Sequence, residues 1–369
     1  DEGSQTELLA LLRLVLQLEK DDGSLHLRLA RVHHNRGDLP SQVEALVLAE
    51  SLAKDQLRQD LVVEAQVEQL LLDLPGLDAG RASERLSELQ LVAAGVATTT
   101  GAIRLREAEA ILTAEGEQPA QIRSAMSDLQ AVAAEWELLG EVGRAAATLR
   151  LVAASGLLHL GRFDEGFRVA ERAGELSARQ PQSLGKSSVL AARHAALAAD
   201  VDAFAFCNDR GKDLLAGSGL AWLEGQMAWS SMIISGYTGD GTEVAYFFNE
   251  ASELLGSLLD HPTGVVFFAD AITAFSMVGA TTKAEMLLRE GETRRSESPL
   301  MFGLAEVIWS WRSGQPAAVV RTLVERLRLS VSVPAERDWI LDLAVELSKD
   351  RSDSSSLEAL ARQADRHDL

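Results

Sequence analysis

The stretch Leu149–Ser177 reads LRLVAASGLLHLGRFDEGFRVAERAGELS, and it decides which fold the chain can adopt. Small and apolar residues recur at helical spacing on both sides of Gly161, a residue type that can end a helix. Small side chains let two helices approach closely, while larger ones fill the seam between them. The stretch therefore predicts two packed helices joined by a tight turn. The residues that carry this pattern are Ala153, Ala154, Leu157, Gly166, Ala170 and Ala173.

Turn signals of the same kind recur along the chain at a nearly constant spacing. Successive turns are separated by 39, 40, 45, 39, 39, 40 and 35 residues. A fixed period of about this length is typical of helix–turn–helix repeats of the tetratricopeptide (TPR) type. It predicts an all-α, right-handed TPR-like α-solenoid of about eight helical pairs with terminal capping helices. The predicted turns lie at Gly37, Gly76, Gly116, Gly161, Asp200, Gly239, Gly279 and Gly314.

One of the clearest pairs surrounds the turn at Gly239. The segments Trp222–Tyr237 and Val244–Leu258 have helical periodicity, and the intervening residues Thr238–Gly241 (TGDG) are typical of a turn. We therefore predict one helix on each side of this turn.

Three parts are predicted along the chain. Residues 1–20 form an N-terminal capping helix, which opens on the capping-box pattern Ser4–Glu7. Residues 21–330 form the TPR-like helical-repeat array, in which Val96–Gly101 is poor in helix formers and predicts a break or kink. Residues 331–369 form C-terminal helices and a solvated linker.

The composition bounds the class of protein. Hydrophobic residues make up 47% of the 369 residues, which is enough for an extensive core. The formal net charge of −20 repels the phosphate backbone of nucleic acids, so we expect no direct nucleic-acid binding by this segment. No apolar run reaches the roughly 20 residues of a transmembrane helix, so no membrane association is expected. The single cysteine, Cys207, excludes an intramolecular disulfide and favours a cytoplasmic location.

Residue types that carry chemistry occur in arrangements that do not favour catalysis. His33 and His34 are adjacent, so on a helix their side chains point about 100° apart and do not readily share a tetrahedral metal site. Cys207 and His194 could form a nucleophile and its base, but no glycine-rich elbow or oxyanion signature surrounds the cysteine.

A phosphate-binding loop is not predicted either. The pattern GxxxxGK[ST] does not occur, and Gly185–Ser187 (GKS) lacks both the upstream glycine and a preceding strand. We therefore expect no enzyme activity, no cofactor and no metal in this segment.

A binding groove is the remaining kind of site. In a solenoid of such pairs the first helices line the concave face, and counting back from each turn projects their exposed positions. Trp and Tyr there could stack on ligands, and Arg or His could bind an anionic group. The alternative is that tryptophans such as Trp222, Trp229, Trp309 and Trp311 fill the core. The predicted groove residues are Arg31, His34, Gln66, Arg106, His159, His194, Trp229, Tyr237, Trp311 and Arg312.

The segment from about His26 to Leu329 resembles the TPR-like superhelical domain of the large ATP-binding, LuxR-type transcriptional regulators, the MalT-type family. The likeness rests on the period near 40 and on turns such as Leu160–Glu165 (LGRFDE) and Asn35–Leu39 (NRGDL). In that family a nucleotide-binding module and a helix-turn-helix module flank repeats that receive an inducer or an inhibitory protein. Because the chain begins at Asp1 rather than Met, we interpret it as the sensor part of such a longer protein.

The resemblance implies an effector- or protein-sensing domain of a bacterial signal-transduction ATPase or transcriptional regulator. Its partner would be a protein, a peptide or a small-molecule effector in the concave groove. The alternative is a stand-alone TPR scaffold for protein–protein interaction without a small-molecule ligand. Concentrated aromatic residues in the groove would favour the first, and an exposed apolar patch at Leu8–Leu18 would favour the second.

Overall fold

The structure is a computed structural model. It describes residues 2–36, 38–73, 79–93, 99–114, 119–154, 162–216, 218, 220–260, 262–297 and 299–330. Within these ranges the regular structure consists of seventeen α-helices and two short 3-10 helices, without strands. The prediction of an all-α fold is therefore confirmed for the part of the chain that is described. None of the helices in these ranges combines the length and hydropathy needed to cross a lipid bilayer.

The chain divides into two compact units, of which the first, unit 1, comprises Asp1–Gly116 and Gln121–Thr148. Its helices follow one another with short connections, as the repeat pattern predicts. They are α1 (Glu2–Leu18), α2 (Gly23–Arg36), α3 (Leu39–Asp55), α4 (Gln59–Asp73), α5 (Ala79–Ala93), α6 (Thr99–Ala114) and α7 (Pro119–Leu138). The first two residues of α7, Pro119 and Ala120, belong to the second unit, and helix α8 (Val142–Val152) crosses the boundary at Thr148.

The second unit, unit 2, comprises Glu117–Ala120 and Leu149–Leu369. Its helices are α9 (Phe163–Leu176), α10 (Pro181–Leu197), α11 (Val201–Leu215), α12 (Ala221–Thr238), α13 (Gly241–Leu255), α14 (Pro262–Met277), α15 (Thr281–Gly291), α16 (Pro299–Arg312) and α17 (Ala317–Ser330). Short 3-10 helices follow α13 at Gly256–Asp260 and α15 at Glu292–Glu297. The predicted C-terminal part, residues 331–369, lies outside the described residues.

Four of the predicted turns can be checked, and each lies between two consecutive helices. Gly239, Gly279 and Gly314 have φ angles of 86°, 78° and 82°, the left-handed conformation in which glycine ends a helix without strain. Asp200 begins α11 as its N-cap, since its carboxylate accepts a hydrogen bond from the Ala203 backbone N–H. The other four turns, at Gly37, Gly76, Gly116 and Gly161, lie outside the described residues.

One predicted boundary is wrong. The pattern predicts that the helix after Gly239 extends to Leu258, but α13 ends at Leu255. The reason is Gly256, whose φ of 48° breaks the helical conformation before a 3-10 turn begins.

Close packing around α9 agrees with the small residues of the stretch that decided the fold. Gly166, Ala170 and Ala173 are all buried, and α9 packs against α10. A Cβ atom at Gly166 would lie 2.0 Å from the Cε1 atom of His194, so the imidazole occupies the notch that the glycine leaves. Leu157, in the first half of the stretch, lies outside the described residues.

In unit 2 the helices that precede the predicted turns form one row. The helix before each turn is called the first helix, and the helix after it the second. The first helices α10, α12, α14 and α16 pack on one another in succession, and each also packs on the second helix that follows it. This arrangement of packed consecutive helices is consistent with an α-solenoid.

Unit 1 shows the same pairing of α2 with α3, and α4 packs on α3, α5 and α6. Helix α1 covers α2 through Leu9 and Leu12, which are buried in a small cluster. Its opposite side is exposed, and the large apolar residues there are Leu8, Leu11, Leu14 and Leu18. The predicted apolar surface of this terminal helix is therefore present.

Candidate functional site

The predicted groove residues of unit 1 point in different directions. Arg31, on α2, pairs with Glu64 on α4, so it lies between two first helices. Gln66 instead donates a hydrogen bond to Glu50 on the second helix α3, with a distance of 2.7 Å between Nε2 and Oε1. Arg106 forms an exposed pair with Glu135 on α7. The side chain of His34 and the whole of His159 lie outside the described residues.

The predicted groove residues of unit 2 also separate into two kinds. His194, Trp229 and Trp311 are buried, with exposed fractions of 0%, 3% and 2%. His194 fills the Gly166 notch, and Trp311 packs in the core between α16 and α17, so neither lines an open groove. Arg312 is exposed at the end of α16, and Tyr237 on α12 is 46% exposed. The position of Trp311 therefore agrees with the alternative interpretation, in which tryptophans fill the core rather than line the groove.

Trp229 is buried in a cluster that joins three successive first helices. Asp270 on α14 accepts hydrogen bonds on Oδ2 from Arg193 Nη2 at 2.6 Å and from Trp229 Nε1 at 2.9 Å. The guanidinium carbon of Arg193 also lies 3.9 Å from the centroid of the Trp229 ring. Because Arg193 is on α10, its ion pair spans α12 and connects two helices that are not consecutive in the row.

Burial dominates the electrostatics of this cluster. It raises the pKa of Asp270, although the hydrogen bonds from Arg193 and Trp229 act in the opposite direction. It lowers the pKa of Arg193, whose Nη1 atom is buried without a hydrogen-bond partner. Buried ion pairs of this kind contribute little net stability, because desolvation offsets the attraction. Perturbed buried charges beside an opening mark a candidate functional site.

A pocket opens beside Asp270. Its cavity volume is about 30 Å³, which is room for about two water-sized groups. Tyr237 stands at its edge, and both burial and the charge of Asp270 raise the pKa of the tyrosine. The walls combine apolar side chains with one carboxylate and two hydroxyl groups, the usual composition of a small-molecule site. The lining residues are Leu197, Ile233, Gly236, Tyr237, Asp270, Thr273, Ala274 and Met277.

The pocket can accept a ligand that donates a hydrogen bond. Both hydrogen bonds that Asp270 accepts fall on Oδ2, and no donor among the described residues reaches Oδ1. Gly236 brings α12 against α14, since a Cβ there would lie 2.9 Å from the Cα atom of Ala274. The three elements that shape the pocket therefore belong to the same rigid row of first helices.

Unit 1 has its own buried charges, arranged differently. Glu64 on α4 accepts hydrogen bonds from Arg31 on α2 and from Arg144 on α8, the latter at 2.9 Å. Arg104 on α6 pairs with Glu68 on α4, at 2.5 Å, and with Glu107 on its own helix.

Thr148 on α8 extends this network. Its hydroxyl donates to Glu107 at 2.5 Å, so α6 and α8 are also joined. Burial raises the pKa of Glu64 despite the neighbouring arginines. These ionic contacts link the first helices of unit 1.

The possible nucleophile and base have environments that oppose catalysis. The Cys207 thiol lies 3.7 Å from Glu171, and burial together with this carboxylate raises the pKa of the thiol to about 12. Burial lowers the pKa of His194 to about 4, and its Nε2 atom hydrogen-bonds to the Ala153 carbonyl at 2.9 Å. A protonated thiol and a neutral, buried imidazole are the opposite of an activated pair.

No metal site is found in the described ranges. His33 bonds through Nδ1 to Asp38 Oδ2 at 3.0 Å, which places it at the start of α3 as a structural contact. Groups of three or more His, Cys, Asp or Glu side chains that could hold an ion are absent from the same ranges.

The projection of groove positions did not include Arg193 and Asp270. A signal for both exists in the sequence, because Asp270 is the lone ionisable residue of FFADAITAF, and Arg193 stands beside His194 in the otherwise apolar AARHAAL. A charge that interrupts an apolar helix face is expected to have a partner or a function.

Comparison with known proteins found no protein-family model and no curated protein that matches the chain. The resemblance to the MalT-type regulators therefore rests on the repeat pattern alone.

Proposed function

We propose that this chain is an effector-sensing helical-repeat domain of a bacterial signal-transduction ATPase or transcriptional regulator, located in the cytoplasm and without enzyme activity. In this proposal the repeats form a right-handed TPR-like solenoid of about eight helical pairs. The effector is a small molecule that binds in the pocket beside Asp270 and Tyr237.

One observation carries the proposal: a buried ion pair joins α10 to α14 and borders an open pocket. A ligand donor that bonds to Asp270 would change the balance between this carboxylate, Arg193 and Trp229. Because these residues lie on three packed helices, a change at the pair alters how the helices pack. The ligand would then favour one of two packings, which is how a sensor transmits binding to a neighbouring module.

The ligand class follows from the walls of the pocket. A group with an N–H or O–H donor can reach Asp270 Oδ1, while a short apolar part can contact Ile233 and Met277. Tyr237 can stack on a flat or aliphatic face at the mouth. Small amines and amides have this combination.

A stand-alone protein-interaction scaffold is the second candidate, and the exposed leucines of α1 favour it. Leu11, Leu14 and Leu18 are 57%, 57% and 83% exposed on one helix. Apolar residues in such a group mark protein interaction surfaces in many proteins.

A thermal-shift screen with these ligand classes tests the sensor proposal. Ligands that bind only the folded state raise its apparent stability. The chain has only two tyrosines, which provide a matched pair of variants. Tyr237→Ala removes the side chain at the pocket, whereas Tyr246→Ala removes one that is 59% exposed on α13.

The sensor proposal predicts a saturable rise in Tm that Tyr237→Ala abolishes and Tyr246→Ala retains. A screen without any stabilising compound, or a rise that both variants retain, would contradict the pocket. Binding of a protein through α1 would be tested with Leu11→Glu and Leu14→Glu in the same chain.

A further inference from the structure

Polar side chains converge near the start of α10, where α8, α9 and α10 meet in unit 2. Arg150, in the last turn of α8, donates from Nη1 to the hydroxyl oxygen of Ser183 at 2.9 Å and to that of Ser187 at 3.4 Å. Ser177, at the end of α9, lies 2.9 Å from Ser183 when the two hydroxyl oxygens are compared. Three hydroxyl groups therefore gather beside one guanidinium.

Arg150 differs from other buried arginines because it has no acidic partner among the described residues. Arg104, Arg144 and Arg193 each pair with a carboxylate. Within the described ranges its hydrogen bonds go to the two serine hydroxyls and to the Ser183 carbonyl. Burial lowers its pKa to about 10, without any compensating negative charge from the described residues. The buried guanidinium of Arg150 therefore lacks, among the described residues, the opposite charge that would offset its loss of hydration.

Lys186 adds a second positive charge to the same place. It follows Ser183 by three positions on α10, a spacing at which two side chains are neighbours on the helix surface. Burial and repulsion from Arg150 both lower its pKa. Arg150 and Lys186 are two partly buried cations that repel each other. No carboxylate among the described residues pairs with Arg150 to offset this repulsion.

We propose that Arg150, Lys186 and Ser183, which are all partly exposed, bind a phosphate group, carried by a small phosphomonoester or present as inorganic phosphate. The planar guanidinium can give two parallel hydrogen bonds to a tetrahedral oxyanion, and the ammonium supplies a point charge. The Ser183 hydroxyl provides a further donor, and the first turn of α10 adds the favourable end of the helix dipole.

The site is not a nucleotide-binding loop. Gly185–Ser187 lies inside α10, and a Cβ at Gly185 would be 2.8 Å from a methyl carbon of Leu215. The backbone there is helical and packed, so it cannot wrap around several phosphates. One phosphate group is what the side chains can hold.

This site is independent of the pocket at Asp270, which lies at the other end of α10. The two can be tested separately, because they share no residue. Tyr237→Ala should leave phosphate binding unchanged even if it abolishes effector binding.

Calorimetric titration with sodium phosphate and with methyl phosphate tests the proposal, with sodium chloride at equal ionic strength as a reference. Lys186→Gln and Arg150→Gln remove one charge each. Lys212→Gln is the matched control, because Lys212 is an exposed lysine on α11. We expect binding to the unaltered protein and to the control, and a loss of affinity of about tenfold or more in each site variant.

Thermal unfolding shows whether the variants fold. In chloride, Lys186→Gln should melt no lower than the unaltered protein, because it removes a buried like charge. In phosphate the unaltered protein should have a higher Tm than the variant. This reverses the order of the two Tm values in chloride or, if they are equal in chloride, separates them. Tighter binding of methyl phosphate supports a phosphomonoester ligand, and tighter binding of inorganic phosphate supports the free ion. Equal effects of phosphate and chloride, or unchanged phosphate affinity in Lys186→Gln, would overturn the proposal.

Discussion

The two units place different chemistry between their first helices. In unit 1 the helices α2, α4, α6 and α8 are joined by ion pairs around Glu64 and Arg104. In unit 2 the corresponding positions are aromatic and aliphatic, and the ion pair between Arg193 and Asp270 stands within an apolar core. The same kind of helix pairing therefore occurs with either charged or apolar residues between successive first helices. The helix packing alone does not determine which kind of ligand such a row can bind.

The largest expected effect concerns the apolar row of unit 2. Phe267 is fully buried, stacks on Phe248 at 5.6 Å and meets the Trp229 ring edge-on at 5.4 Å, measured between ring centroids. Phe267→Ala should lower the free energy of unfolding by about 4 kcal/mol, through lost burial and the cavity that remains. Chemical denaturation measures the loss. Phe206→Ala is the control, since Phe206 is 62% exposed, and an equal loss in both variants would contradict the prediction.

A somewhat smaller effect is expected for the ionic row of unit 1. Arg104→Ala removes the cation that pairs with the buried carboxylates of Glu68 and Glu107 and should cost about 3 kcal/mol. Hydrogen exchange can show whether the loss is confined to α4 and α6. Arg106→Ala is the matched control, because its pair with Glu135 is exposed and should contribute under ~1 kcal/mol.

Replacement of the whole ionic group sharpens the comparison. If Arg104→Met, Glu68→Leu and Glu107→Leu are combined, the apolar set should recover most of the stability lost by Arg104→Ala. A combined variant as unstable as the single one would show that unit 1 depends on its charges in a way that unit 2 does not.

The smallest effect depends on pH. Burial lowers the pKa of His194 from 6.5 to about 4, so the folded state binds this proton less readily than the unfolded state does. The contribution of His194 to the free energy of unfolding is present above pH 6.5 and is lost as the pH falls toward 4. Unit 2 should lose about 2 kcal/mol of stability between pH 7.5 and pH 5.

Glu64 in unit 1 has the opposite sign. Its pKa is raised, so its contribution to stability falls as the pH rises above the ordinary value of 4.5.

Denaturation of the unaltered protein and of His194→Gln at several pH values measures how much His194 contributes to the pH dependence of stability. An unchanged slope between pH 7.5 and pH 5 in that variant would refute it.

Most of the helices could be predicted from local patterns. The segment Trp222–Tyr237 was predicted as a helix, and α12 runs from Ala221 to Thr238. The turn that follows was also predictable, because Gly239 has the left-handed conformation that few other residues adopt. Such features depend on neighbours within a few residues.

The site was less predictable, because it depends on contacts across many residues. Arg193 and Asp270 are 77 positions apart, and their pairing follows from the packing of three helices. Positions such as Gln66 were also projected onto the groove, yet Gln66 bonds to the second helix α3. A shift of one residue rotates a side chain by about 100° around the helix, so small errors of register move it to another face.

The pair between Arg193 and Asp270 also has a mechanical consequence. It connects α10 to α14 over the intervening α12, so it is a tie between helices that do not follow one another in the row. If a stretching force were applied to the two ends of unit 2, the ion pair would bear that force before the apolar contacts between adjacent helices separate. Neutralising it, as in Asp270→Asn, would make that part of the array easier to extend, even where the seams keep their full strength.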